Sequence, residues 1–166
     1  MGQTATVTRL VLVAVVAALA VLAGCGGDDA PSGCGPDVRE RIDPSSAVHV
    51  LPGAPEPEYL SDPPTSGPHG VGPVPAGAQV APLDRPTQVR ILEAGRVLLQ
   101  HEGLTDDQRA ALETLASEDV VVAPGRDLPG AVVATAWGSK RVCEMVAEDP
   151  LQDFVDDHRG QPPGPG

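Results

Sequence analysis

Aromatic side chains are nearly absent: Tyr59, Trp137 and Phe154 are the only three in 166 residues. There is no asparagine, and Lys140 is the single lysine. A core so poor in rings must rest on aliphatic side chains, each worth about 1.5–3 kcal/mol when fully buried. Basic charge is also scarce, with 11 Lys and Arg against 23 Asp and Glu, for a net charge of −12. A surface that acidic repels phosphate backbones and argues against nucleic acid as a partner. Three kinds of chemistry lack their motifs. Gly70 to Gly77 contains glycines but no lysine and no strand-to-helix switch, so it is no phosphate cradle. Ser66 sits in Thr-Ser-Gly, outside any Gly-x-Ser-x-Gly elbow. No Cys-x-x-Cys pair suggests redox catalysis. No cofactor is expected, and no internal repeat is visible.

What the chain has in quantity is glycine and proline, 19 of each, and an apolar N-terminus. Arg9 precedes 14 apolar residues, Leu10 to Ala23. A bilayer span needs about 20, so the run has the proportions of a signal-peptide core. It ends in Leu22-Ala23-Gly24-Cys25, which resembles the lipobox of bacterial lipoproteins. The resemblance implies cleavage before Cys25 and acylation of its thiol, with palmitate-type chains anchoring the protein outside the cytoplasmic membrane. The resulting organisation is a signal peptide over 1–24, a tether over 25–46, a single domain over 47–159 and a disordered tail over 160–166.

Within the domain, Ala47–Leu51 alternates weakly, as a short strand would. Residues 52–77 carry eight prolines and must form a long loop, which in a small domain is functional or loosely held. Asp84–Gly95 has a helical outline, with Pro86 in the first turn and Gly95 as a stop. Thr105–Glu118 predicts a helix, since Thr105 and Gln108 make a capping box and Leu112, Leu115 and Ala116 form a stripe. Arg96–His101, Val120–Ala123 and Ala131–Trp137 read as strands, and Pro150–His158 as a closing helix. The order predicts an α+β domain, a small mixed sheet with helices on one face. The acid pairs Asp106-Asp107 and Asp156-Asp157 read as helix-end charge and a solvated face rather than calcium ligands.

With Cys25 assigned to lipid, Cys34 and Cys143 remain, an even number in an oxidising space. The default is a structural disulfide.

The stretch Tyr59-Leu60-Ser61-Asp62-Pro63-Pro64-Thr65-Ser66-Gly67-Pro68-His69 is unusual. Together with His49-Val50, Leu92-Glu93-Ala94-Gly95 and Thr135-Ala136-Trp137-Gly138, it resembles the bacterial exported family catalogued as domain of unknown function 3105. The resemblance spans His49 to Phe154 and brings no established activity. It implies a histidine cluster, because family members usually carry His-x-Leu-Glu-His-Gly where this chain has Arg90-Ile91-Leu92-Glu93-Ala94-Gly95. Two histidines four apart share a helix face at metal-ligand spacing. Arg90 and Ala94 offer no lone pair for a metal, so those positions are degenerate here and no metal is expected. His49, His69 and Glu93 remain as a candidate residual site, with Glu93 pairing to Arg90 or Arg96. His101 and His158 read as solvated. The leading expectation is a membrane-anchored, extracytoplasmic lipoprotein acting as a non-catalytic binding or accessory module. Its partner would be an envelope protein or a small ligand at the proline-rich loop. The alternative is a metal-binding or metal-assisted hydrolytic domain whose histidine cluster has decayed.

Overall fold

The computed structural model of the protein describes residues 33–163; the expected signal peptide, Cys25 and 164–166 lie outside them. Eight strands and three helices follow in order. They are β1 (Val38–Arg39), β2 (His49–Val50), β3 (His69–Gly70), β4 (Gly77–Ala78), α1 (Arg85–Glu93), β5 (Val97–His101), α2 (Asp106–Glu113), β6 (Val120–Pro124), β7 (Val132–Ala136), β8 (Ser139–Cys143) and α3 (Glu148–His158). Six strands form one mixed sheet in the order β1-β8-β7-β5-β6-β4, and β2 and β3 form a separate pair. β5, β6 and β4 run parallel, whereas β7, β8 and β1 are joined antiparallel. The fold is α+β.

The central strands are apolar at successive positions, Val97-Leu98-Leu99 in β5 and Val120-Val121-Val122-Ala123 in β6. A strand of that kind has two faces to bury. Val97, Leu99, Val120, Val122, Val132 and Ala134 pack with Leu112 of α2 and with Leu151, Phe154 and Val155 of α3. Leu98, Val121 and Ala123 face the other way, onto Ile91 and Leu92 of α1. Helices therefore cover both faces of the sheet, and the expectation of one covered face is corrected.

Helix α1 begins where Asp84 Oδ1 accepts from the Thr87 N–H at 2.8 Å and Pro86 pre-sets the first turn. It stops at Gly95, whose φ of +77° is the left-handed stop glycine allows. Helix α2 has its Thr105–Gln108 capping box but ends at Glu113, five residues short of expectation. Over 114–116 the N–H groups bond to carbonyls three residues back, a tightening that ends an α-helix.

Two boundaries move. The segment expected as tether through Ser46 is tied down from Cys34 onward. Cys34 and Cys143 form a disulfide, as the cysteine count predicts, and β1 pairs with β8. Strand β8 itself reads as polar and was not expected. Its lysine and arginine find partners in Glu40 and in the Pro150 carbonyl. At the other end, Gly160 donates to the Gly95 carbonyl at 2.7 Å. A side chain at Gly95 would meet Pro162 within 2.9 Å, so the tail's first residues lie on the domain. Among the described residues no helix is long and apolar enough to cross a membrane.

Candidate functional site

The proline-rich block Pro63–His69 is buried along its whole length. Proline supplies no N–H, so few donors need partners, but a buried loop must still satisfy its carbonyls and remaining amides. Gly67 donates to Ser46 Oγ at 3.1 Å and His69 to the Val48 carbonyl at 3.0 Å. The Thr65 carbonyl accepts from Gly138, and the Pro68 carbonyl from the Tyr59 hydroxyl at 2.9 Å. Ser66 Oγ accepts from the Asp43 N–H at 2.9 Å. Gly67 is required here, with φ of +127° and the Tyr59 ring 3.0 Å from where a Cβ would sit.

Glu40, from β1's flank, is the hub beneath this block. Its Oε2 accepts from Ser61 Oγ at 2.6 Å and Thr65 Oγ1 at 2.7 Å, and its Oε1 lies 3.1 Å from Lys140 Nζ. Burial by itself would push the Glu40 carboxyl up. The two hydroxyl donors and the Lys140 charge together outweigh it and hold the group below the ordinary carboxylate value. The same packing raises Tyr59 to about 12, through burial first and the Glu56 charge second. The roles of Glu40, Asp43, Tyr59 and Lys140 were not legible in the sequence; that Lys140 is the single lysine was the one available signal.

The structure brings His49, His69, Glu93 and Arg90 together. His49 and His69 are register partners in the parallel β2–β3 pair, with ring centroids 4.6 Å apart in an edge-to-face arrangement. His69 is 1% exposed, whereas His49 faces solvent. Glu93 Oε2 takes Arg90 Nη1 at 2.6 Å and stands 3.1 Å from His69 Nε2. The latter contact lacks hydrogen-bond geometry, and neither His69 ring nitrogen has a hydrogen-bond partner. Ala94 is exposed at the C-cap of α1. Arg96 goes elsewhere, donating to the Pro75 carbonyl. A divalent ion approaching Glu93 would have to displace a guanidinium already on that oxygen. Among the described residues no three His, Cys, Asp or Glu side chains are placed to hold a metal ion.

His101 and His158 are both buried, not solvated. His101 closes strand β5, where burial holds its pKa below the ordinary histidine value. His158 faces the core side of α3 and meets Asp37 Oδ2 at 2.7 Å through Nε2.

Beside Glu93 opens a groove of about 710 Å³. Partly buried Trp137 lines it, with Ile42, Pro44, Ala47 and Glu40 along one wall and Pro163 of the tail at its side. The block does not present itself to solvent; it braces this groove, through Ser46 and Gly138.

A protein-family model, described as Protein of unknown function (DUF3105), matches residues 54–166. His49 and Cys34 lie upstream of the matched span. No curated protein and no solved structure matches the chain.

Proposed function

The chain belongs to this family of unknown function, and from that premise we propose that it is a non-catalytic binding module anchored by lipid on Cys25 outside the cytoplasmic membrane. The observation that carries the binding role is the Trp137 groove. The partner is an extended, proline-containing segment of an envelope protein. Trp137 gives the groove one aromatic face, the element on which the pre-extended polyproline conformation docks. Pro44 and the chain's own Pro163 stand with Trp137 in the lining, so the surface is apolar and ring-faced. The anchor reading rests on the apolar run and on Leu22-Ala23-Gly24-Cys25.

Trp137 is the only tryptophan, so its fluorescence reports the groove alone. Titration of the full chain with a decaproline peptide should shift the emission saturably to the blue. Trp137→Ala should lose peptide binding by calorimetry. A full chain that ignores the peptide would end the binding proposal. For the anchor, Cys25→Ser should leave the protein uncleaved or release it from the membrane fraction. A variant still cleaved after Gly24 and still membrane-bound would sink that part.

A further inference from the structure

Away from the groove, two buried glutamines share one cavity. Gln88 of α1 is 7% exposed and Gln100 of β5 is 2% exposed. Both side-chain Oε1 atoms are buried with no hydrogen-bond partner among the described residues, so each must take its donor from water or a ligand. Gln88's orientation is fixed, since its Nε2 donates to the Leu83 carbonyl at 2.8 Å; turning the amide over would set oxygen against oxygen. Both side chains line a cavity of about 190 Å³. It sits at the carboxyl ends of parallel strands β5 and β6, the end of such sheets where ligands bind.

The charges around it narrow the ligand. Asp62, Asp84, Glu56, Arg85 and Arg126 stand at the cavity. Arg85 is already held by Glu56 and lies 3.9 Å from Asp62. Among the described residues the Asp84 carboxylate accepts only the neutral Thr87 amide. With Asp62, Asp84 and Glu56 against Arg85 and Arg126 the rim is net negative, so it calls for hydrogen-bond donors and positive charge. A hydroxyl has one donor and cannot serve two amide oxygens; water has two donors but no charge, whereas an ammonium has three donors and a charge the rim carboxylates favour. Two would reach Gln88 and Gln100, and the third a rim carboxylate. The remaining walls, Pro63, Pro82, Leu83 and Leu128, suit a short aliphatic stem. A cavity of roughly 150 Å³ accepts benzene, so this one takes a compound of similar size.

We propose that this cavity is a binding site for a small primary-ammonium compound, held by Gln88 and Gln100. The site is separate from the Trp137 groove and does not depend on it. The test is calorimetric titration of the full chain in detergent with butylammonium chloride, against 1-butanol as the neutral probe of equal shape. Butylammonium should bind one site saturably, at least tenfold more tightly than butanol. In the wild-type protein, the side-chain amide signals of Gln88 and Gln100 should shift along that isotherm. Gln88→Met should weaken binding at least tenfold with the fold retained by circular dichroism. Equal behaviour of amine and alcohol, or amine-induced shifts that leave both glutamine amides unmoved, would overturn the proposal, and this second readout needs no variant.

Discussion

Removing the Cys34–Cys143 cross-link is the perturbation whose size the structure sets most directly. The bridge closes a loop with a sequence separation of 109. The chain-entropy relation for such a loop gives about 4.8 kcal/mol at 25 °C, acting through the unfolded state. An unfolding entropy of about 2.1 cal/mol/K per residue, over about 130 residues, makes each kcal/mol worth roughly 3–4 °C of Tm. The upper bound is then a fall of about 18 °C, and residual structure in the unfolded chain lowers the measured value to roughly 8–15 °C. The native fold should survive. Gly35 still donates to the Val142 carbonyl and Glu144 to the Gly33 carbonyl, both at 2.8 Å, and neither bond needs the sulfurs. The assay is thermal unfolding followed by circular dichroism on Cys34→Ala with Cys143→Ala, alongside wild type in reductant. The two should melt together, because the cross-link and not the buried sulfur volume carries the effect. A fall under about 3 °C, or a variant far less stable than reduced wild type, would refute the reasoning.

Three further outcomes follow from the buried polar groups. Glu40→Ala should destabilise by about 2–4 kcal/mol in urea unfolding, since it strands Lys140, whereas Lys140→Met should cost under about 1 kcal/mol because Glu40 keeps two hydroxyl donors and some solvent. Tyr59, the only tyrosine, should ionise near 12 in a spectrophotometric titration at 295 nm; a native-state midpoint near 10 would contradict its packing. Glu40's pKa is depressed in the fold, so its contribution is present above the ordinary carboxylate value and is lost as pH falls through the folded value. His101, also depressed, costs stability as pH falls below the ordinary histidine value. Stability should therefore decline stepwise from about pH 6.5 downward, and a flat melting temperature between pH 7 and pH 3 would count against both assignments.

The elements readable from sequence were those whose local signals agree with their tertiary role. The Thr105–Gln108 box, Pro86 with Gly95, and the β-branched runs of β5, β6 and β7 all declare themselves within a few residues. Strand β8 did not, because Ser139-Lys140-Arg141 has the look of a solvated turn until Glu40 and the Pro150 carbonyl are supplied from elsewhere. The proline-rich loop was visible as a loop. Its burial was not, since that depends on Asp43, Ser46, Tyr59 and Gly138, none close in sequence to all of it. The juxtaposition of His49 and His69 rests on a two-residue parallel pairing, which leaves no periodic trace. Only the family resemblance pointed there. The Gln88–Gln100 cavity had no sequence signal, because a glutamine in a helix and another in a strand read separately as ordinary polar positions.

Under the proposed anchor, the disulfide at Cys34 changes how far the domain could stand from a bilayer. Were the domain to begin after Ser46, a lipid on Cys25 would act as a leash of 21 peptide units, about 75 Å at full extension. The bridge at Cys34 leaves only nine such units, about 32 Å. Under the proposed anchor, a domain on so short a leash would sweep only a thin layer next to the membrane surface. Any protein it engaged there would have to bring its own binding segment down into that layer.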